Sequence, residues 1–335
     1  KSNKNISNMA LERLALFFSI LASAYGAKNN ILKPKRHRTH TKDALDWYGV
    51  KTIRELHERN LTNGFPAETL ASKDLPQAFD WRNVDGVRFA TPSKTQQVPK
   101  ICGACWAFSA TGTLSDRVRI AAKGKPLDLS LSPQTLLDCH QDAGTCNGGN
   151  SLAAFASVHN SSTGFTDETC SPYEGVDYSN WGESECGDRM CKTHDLYGQS
   201  SWVNVTNRVF VDSYGVVDAT DPAALMSEVL ANGPVACYMY AHSDSFEDYT
   251  GGVITDATPY PGITHVVALV GWGTDAETGV DFWAVRNSFG TYWGEQGFYR
   301  VQRGINAFNM ESGVCEWATP TQDSVDAIVA NAALP

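Results

Sequence analysis

Nine cysteines lie between Cys102 and Cys315 of this chain, and two of them, Cys102 and Cys105, are separated by only two residues. A Cys-x-x-Cys pair can form a redox centre, half of a zinc site, or a structural cysteine beside a reactive one. Secreted proteins use most of their cysteines in disulfides, and an odd number leaves one thiol unpaired. If the chain is secreted, its fold needs a disulfide framework and a reason for one free cysteine.

The N-terminal segment indicates secretion. From Met9 onward, Arg13 precedes an apolar run over residues 14–22, and small residues follow. This order is typical of a signal peptide, here cleaved near residues 24–27, although a buried core helix is the alternative. The run is shorter than the ~20 apolar residues of a membrane span, so we expect no stable membrane insertion after signal removal.

The net charge indicates which binding partners the protein can have, and the glycosylation sequons indicate its cellular compartment. The 335-residue chain has a formal net charge of −10, which argues against a nucleic-acid partner because phosphates require a basic face. Glycosylation sequons begin at Asn60, Asn160 and Asn204, and each is a weak signal by itself. Together they agree with passage through the secretory pathway.

The middle of the chain has the periodicity of helices. Trp106, Ala110, Leu114 and Val118 recur every four residues, which predicts a helix of about fifteen residues with Cys105 in its first turn. A second helix is predicted with Ser132 as its N-cap and a proline at its first position.

Beyond residue 232 the pattern changes to short apolar or alternating runs, "VACYMYA", "HVVALVGWG", "DFWAVRNSF" and "GFYRVQR". These runs predict strands of an antiparallel sheet or barrel. Helices followed by strands favour an α+β body in two lobes, with ligands bound in the crevice between them.

Position and spacing favour a reactive role for Cys105. A helix N-terminus lowers the pKa of a thiol, and nucleophilic catalysis then needs a base, a group that orients the base, and donors for the oxyanion. His265 opens an apolar strand, and Asn287 follows another. Taken singly, this histidine is more often structural and this asparagine more often a turn residue. A redox pair or a zinc site fits the flanking residues less well.

The block Cys102–Trp106, "CGACW", together with the distant His265 and Asn287, resembles the signature of the papain-like cysteine peptidases. The blocks "FDWRNVDG", "CNGG" and "NSFGTYWGE" are also similar to that family, and the likeness covers about residues 75–320. The resemblance implies the papain-like two-lobe α+β fold, with a helical left lobe, an antiparallel β-barrel-like right lobe and the active-site cleft between them. It implies no cofactor and no metal.

The resemblance also implies catalytic roles. Cys105 would be the nucleophile, His265 its general base and then acid, Asn287 the residue that orients the imidazole, and Gln96 an oxyanion donor beside the backbone N–H of Cys105. The disulfides implied by analogy are Cys102–Cys146, Cys139–Cys186, Cys170–Cys191 and Cys237–Cys315, which leave Cys105 free.

Four further residues are implied to contact substrate. Gly148 and Gly149 would present backbone to an extended peptide, with a plain turn glycine as the alternative for Gly149. Trp293 would line the leaving-group side of the cleft, or belong simply to the core. Gln97 stands where the carboxypeptidases of the family carry a histidine that binds the terminal carboxylate of the substrate.

The spacing before the nucleophile resembles this carboxypeptidase branch, because Gln96 stands nine residues before Cys105 instead of the usual six. The neutral Gln97 brings no charge, and charge-assisted hydrogen bonds are the stronger ones. Lys100 is a candidate substitute, or else a solvated lysine. Phe289 replaces a tryptophan usual in the family and can still cover the pair formed by His265 and Asn287.

The domain organisation follows from these observations. Together with the resemblance, they lead us to expect upstream residues and a signal peptide at 1–26, a short propeptide at 27–74, the papain-like peptidase domain at 75–320 and a C-terminal extension at 321–335. The basic cluster at 33–38 is equally consistent with a segment that is removed later and with a solvated loop. No cysteine occurs in residues 27–74, so this propeptide would mask the nucleophile without a covalent bond, or not at all.

We therefore expect a lysosomal or secreted zymogen that hydrolyses peptide and protein substrates, as a cysteine-type carboxypeptidase, with its own propeptide as inhibitor. An endopeptidase with a modified primed-side loop is the first alternative. A non-catalytic binding protein on the same fold is the second.

Overall fold

The computed structural model describes residues 62–123, 127–177, 191–194, 200–203 and 208–332, which belong to one compact unit. The signal peptide, the basic cluster at 33–38 and most of the predicted propeptide lie outside these ranges. The described helices are α1 Cys105–Ala121, α2 Pro133–Cys139, α3 Ser151–His159, α4 Pro222–Asn232, α5 Asp244–Glu247 and α6 Gln322–Ala332. No helix of the described ranges is long and apolar enough to cross a membrane.

The strands are β1 Phe79–Asp80, β2 Gly144–Thr145, β3 Gly148–Gly149, β4 Cys191–His194, β5 Ser200–Val203, β6 Val211–Asp218, β7 Val235–Met239, β8 Val253–Ile254, β9 His265–Thr274, β10 Asp281–Arg286, β11 Phe298–Gln302 and β12 Val314–Pro320. The main sheet has the order β6-β12-β7-β9-β10-β11-β8, with β1 added to β9. Its pairs are antiparallel except β8 with β11.

The predicted helices are confirmed. Helix α1 has 17 residues, starts at Cys105 and buries most of its length. The hydroxyl of Ser132 accepts the N–H groups of Gln134 and Thr135, and Pro133 occupies the first position of α2, because proline loses nothing where the N–H has no partner within the helix.

The strands predicted beyond residue 232 are also confirmed, as β7, β9, β10 and β11. Gly271 shows how tightly the added strand approaches, because a Cβ atom there would lie 2.2 Å from the carbonyl oxygen of Phe79. Strand β9 is paired with β10 on one edge and with β7 on the other. This pairing fixes the position of His265, the first residue of β9.

Two clusters of buried side chains form the core of the two lobes. The helical cluster includes Trp106, Leu114 and Phe155, and the sheet cluster includes Trp272 and Trp283. Helix α1 contacts β7, β9 and β12, so the helical lobe packs directly on the sheet. The predicted α+β fold in two lobes is confirmed.

Two of the disulfides expected by analogy are confirmed, Cys102–Cys146 and Cys237–Cys315. Cys139 and Cys170 are also disulfide-bonded. The expected partner Cys186 and the side chain of Cys191 lie outside the described part of the chain, so those two pairings stay predictions. Among the described cysteines, Cys105 alone is free.

The segment before the main body is packed onto it. Asn63 exchanges hydrogen bonds with Tyr214 of β6, through its backbone N–H at 3.1 Å and its Oδ1 at 2.6 Å. The N–H of Ala67 donates to the buried carboxylate of Glu228 at 2.7 Å. This end of the predicted propeptide therefore contributes to the folded body.

The described part of the C-terminal extension forms helix α6, which packs on the helical lobe. Val325 of α6 is buried, and Ile328 and Val329 pack against the helical cluster. The hydroxyl of Ser324 accepts the N–H of Phe210 at 3.1 Å. The extension therefore closes one side of the helical core.

Candidate active site

Cys105 begins α1 at the end of a short anchored loop. Cys102 is tied to Cys146 by a disulfide, and the N–H of Gly103 donates to the carbonyl of Cys146 at 2.7 Å. A Cβ atom on Gly103 would lie 2.7 Å from that oxygen, so the loop needs glycine there. Because Cys102 is oxidised and Cys105 is free, the two cysteines are neither a redox pair nor half of a zinc site.

The surroundings of the Cys105 sulfur raise the pKa of its thiol overall, because the effect of burial outweighs that of its hydrogen bonds. Burial raises the pKa of the thiol, and hydrogen bonds from the backbone N–H groups of Val266, Trp106 and Cys105 itself lower it. Two of these donors belong to the first turn of α1, where N–H groups have no partner within the helix. Val266 directly follows His265, so the sulfur lies at the start of β9.

His265 and Asn287 form a hydrogen bond whose direction is fixed by a third group. The Nε2 atom of His265 lies 2.8 Å from Oδ1 of Asn287. The same oxygen accepts the backbone N–H of Ser288 at 2.8 Å, which identifies it as the amide oxygen. His265 must therefore carry its proton on Nε2, and Nδ1 is left as the acceptor of the neutral ring.

Burial lowers the pKa of His265 to about 4, although the hydrogen bond to Asn287 raises it. The ring therefore resists a proton unless a negative charge accompanies it. A proton passed from Cys105 to Nδ1 would create two opposite charges that stabilise each other. The site is thus suited to a thiol and an imidazole that change charge together.

Aromatic rings cover the His265–Asn287 hydrogen bond. The ring of Phe289 lies 5.2 Å from that of His265 at an interplanar angle of 32°, and Phe246 lies 6.3 Å from it. Phenylalanine at position 289 can therefore supply the cover that the family usually takes from tryptophan. Exclusion of water strengthens a buried hydrogen bond of this kind.

Trp293 belongs to the same aromatic cluster. It is buried, its ring lies 5.0 Å from Phe246 and 5.7 Å from Phe289, and its Nε1 donates to the carbonyl of Glu247 at 3.3 Å. These contacts favour core packing as its main role. A contact with substrate stays a prediction.

Gln96 is held on both sides of its amide. Its Oε1 accepts the hydroxyl of Ser288 at 2.6 Å, and its Nε2 donates to the carbonyl of Cys102 at 3.0 Å. The hydroxyl of Tyr173 donates to the backbone carbonyl of Gln96 at 2.9 Å. Because an amide nitrogen carries two hydrogens, one remains for an oxyanion beside Cys105.

The extra residues after Gln96 form an exposed loop. Val98 and Lys100 are exposed, and the backbone of Lys100 lies against Gly175. Gln97 is half-buried, and its buried Oε1 has no donor among the described residues. The structure places no described partner against the ammonium group of Lys100.

Gly148 and Gly149 form β3, which pairs with β2. A Cβ atom on Gly149 would lie 2.5 Å from Cε2 of Trp106, so packing alone requires glycine at this position. The indole Nε1 of Trp106 also donates to the carbonyl of Thr145 at 3.2 Å. A substrate contact at these two glycines stays a prediction.

Sequence reasoning missed three residues of this region. Ser288 binds the side-chain amides of both Asn287 and Gln96, and Tyr173 holds the backbone of Gln96. His242 lies close enough to His265 for its charge to lower the pKa of that ring. The serine in "NSFG" was a visible signal. Tyr173 and His242 lie in segments that are distant in sequence and carry no motif that would have predicted their contact with the site.

A free cysteine at the start of a buried helix, beside a strand that begins with histidine, is the arrangement expected of a thiol-dependent hydrolase. The family model of the papain family cysteine proteases matches residues 75–319, and the chain belongs to that family.

Particular relatives and a solved structure extend the likeness. The chain is 31% identical to cathepsin Z of Onchocerca volvulus over 318 residues, which cover 92% of this chain and 99% of the relative. It is 32% identical to cathepsin L of Sarcophaga peregrina, over 79% of this chain and 70% of the relative. The solved procathepsin L 3 of Tenebrio molitor is similar with a TM-score of 0.58 and 27% identity, over 78% of both chains.

Proposed function

We propose that this papain-family protease hydrolyses peptide bonds through Cys105, His265 and Asn287, with Gln96 as an oxyanion donor. The observation that carries the proposal is the fixed orientation of His265, whose Nε2 is held by Asn287 so that Nδ1 is free to accept a proton. The hydrogen-bonded sulfur of Cys105 lies beside the next residue along the strand.

The chemistry follows from these positions. Cys105 gives its proton to Nδ1 of His265, and the thiolate attacks the carbonyl carbon of the scissile bond. The oxyanion accepts hydrogen bonds from Nε2 of Gln96 and the N–H of Cys105. The imidazolium then protonates the leaving amine as the carbon–nitrogen bond breaks. Water, deprotonated by His265, hydrolyses the thioester and releases the acid and the thiol.

We propose further that the enzyme is a carboxypeptidase. Support comes from the extra residues between Gln96 and Cys105, which form an exposed loop beside the nucleophile, and from the similarity to cathepsin Z over nearly the whole chain. Such a loop would narrow the leaving-group side of the cleft so that only a chain end fits. Gln97 and the residues after it would meet that chain end, while Gly148 and Gly149 would face the rest of the peptide.

The test is a pair of peptides that differ only in a free or an amidated C-terminus. Mass mapping of timed digests should show stepwise loss of C-terminal residues from the free acid and far slower cleavage of the amide. Equal rates with internal cuts would indicate the endopeptidase activity that the likeness to cathepsin L also allows. No cleavage of either peptide, with Cys105 inert to alkylation, would support a binding protein.

We also propose synthesis as a secreted or lysosomal zymogen. Cathepsins are its relatives, and the solved relative named above is a proform. Asn160, one of the sequon residues, is exposed at the end of α3. Expression in a secreting cell should give a glycosylated precursor with its N-terminal residues removed, and N-terminal sequencing together with glycosidase treatment would test this.

A further inference from the structure

A carboxypeptidase of this kind needs a positive charge on the leaving-group side of its cleft, because the terminal carboxylate of the substrate is negative. Gln97 is neutral, so its amide nitrogen can donate a hydrogen bond to a carboxylate but brings no positive charge. Lys100 is exposed on the outer part of the loop. The loop before Cys105 therefore offers no fixed positive charge.

The sheet lobe carries a histidine close to the catalytic one. His242 follows β7, and its side chain is 19% exposed. Its Nδ1 lies 3.7 Å from Oε1 of Glu247, and its ring meets the edge of Tyr240 at 5.8 Å. Tyr240 in turn stacks on Tyr260 at 4.4 Å. The imidazole is thus held in place, with a carboxylate beside one nitrogen.

The segment at 242–247, which carries His242, packs against the aromatic rings beside His265. The backbone carbonyl of Glu247 accepts Nε1 of Trp293, and Phe246 of the same segment lies 5.0 Å from Trp293 and 6.3 Å from His265. Among the described residues, Nε2 of His242 has no hydrogen-bond partner. His242, a partly exposed potential donor, therefore lies on a segment that packs against Trp293 and comes close to His265.

We propose that His242, paired with Glu247, supplies the positive charge that binds the C-terminal carboxylate of the substrate, a role that Gln97 cannot fill. The inference rests on the proposed carboxypeptidase activity and names the residue that determines it. The positively charged ring forms an ion pair with Glu247, whose Oε1 lies 3.7 Å from Nδ1, and Nε2 donates to the carboxylate of the substrate. The other charged groups on this segment, Asp244 and Asp248, are exposed to solvent.

The experiment measures kcat/KM of the activated enzyme on two peptides with the same sequence, one a free acid and one an amide. The ratio of the two values reports carboxylate recognition. The variants are His242→Gln, which keeps a neutral donor, and His242→Lys, which keeps a charge. Asp244→Asn is the matched control, because it changes one charge at an exposed position of the same segment. Alkylation of Cys105 counts the active sites in each preparation.

We expect His242→Gln to lower the acid-to-amide ratio by about tenfold or more, as for the loss of one charge-assisted hydrogen bond. His242→Lys should retain more of the ratio than His242→Gln, and Asp244→Asn should leave it within about twofold of wild type. A wild-type preference for the acid that survives in His242→Gln would overturn this inference and leave the carboxypeptidase proposal standing. A wild-type ratio near one would overturn the carboxypeptidase proposal, and this inference with it.

Discussion

The amide of Asn287 holds the imidazole of His265 through a single oxygen, which also accepts the backbone N–H of Ser288. The asparagine therefore cannot turn its amide without losing a backbone hydrogen bond. The tautomer of the histidine, and with it the nitrogen that faces away from Asn287, is set by the turn that follows β10.

Replacement of Asn287 by alanine should lower kcat by roughly tenfold to a hundredfold, because a buried hydrogen bond to a group that becomes charged contributes about 1.5–3 kcal/mol. KM should change little, since in the proposed mechanism Asn287 orients the base and does not bind the peptide. Steady-state kinetics on one peptide would measure both constants. Asn83→Ala is the control, because Asn83 accepts the N–H of Gly86 in an exposed turn that is distant in sequence from Asn287. A wild-type kcat in Asn287→Ala would refute the orienting role.

The residue before Asn287 takes part in a buried ion pair. Nη1 of Arg286 lies 2.9 Å from Oδ2 of Asp116 in α1, and both side chains are buried. Asp116→Ala would leave the guanidinium unpaired and should lower the free energy of unfolding by about 3–5 kcal/mol. In the pair of Arg303 with Asp281 the carboxylate is exposed, so Asp281→Ala should cost less than about 1 kcal/mol. Urea unfolding of the two variants gives the comparison, and equal losses would contradict it.

Buried His140 should make the folded protein sensitive to acid. Burial lowers its pKa to about 4, and its Nδ1 is bonded to Ser157 at 2.8 Å. The unfolded chain binds this proton below about pH 6.5, whereas the folded chain binds it only near pH 4. The free energy of unfolding should therefore fall as the pH drops from about 7 to 4, by up to roughly 3 kcal/mol from this group.

His140→Asn keeps a polar atom near Ser157 but cannot titrate. Its free energy of unfolding, followed by urea titration at pH 7 and pH 4.5, should change less with pH than that of wild type. His265, whose pKa is also about 4, contributes a loss of the same sign in both proteins. Parallel pH curves for the two proteins would show that His140 is not held neutral in the folded state.

The segment at 62–70 should contribute to stability through Gly64. A Cβ atom on Gly64 would lie 2.8 Å from Cη2 of Trp317, so Gly64→Ala should destabilise the protein by about 1–3 kcal/mol. Gly313→Ala is the matched control, because nothing lies within 4 Å of a Cβ atom there. Thermal unfolding would measure both. A Gly64→Ala variant as stable as the control would mean that this segment does not pack on Trp317.

The sequence predicted those parts of the molecule that have a local cause. The four-residue spacing from Trp106 to Val118 marks α1, and the pair Ser132-Pro133 marks the start of α2. The strands after residue 232 show as apolar runs. The disulfides and site residues came from the resemblance, which could name Cys105 and His265 but not their geometry.

Other features depend on contacts between distant segments, which leave no periodic pattern. Ser288 contacts Gln96 although the two residues are far apart in the sequence. His242 lies near His265 only because β7 and β9 are paired. Gly149 is required by the ring of Trp106, which the motif "CNGG" does not reveal. The segment at 62–70 is short and irregular, so its hydrogen bonds to β6 and α4 could not be predicted.

The most direct test of the thiolate mechanism is alkylation of the activated enzyme by iodoacetamide at pH 5, with the modified residue located by mass spectrometry and activity followed in parallel. An ordinary thiol, with a pKa near 8.5, hardly reacts at this pH. We predict one alkyl group per active chain, on Cys105, a proportional loss of peptidase activity, and a much slower reaction in His265→Ala. Activity that persists after complete alkylation of Cys105, or a rate unchanged in His265→Ala, would contradict the account.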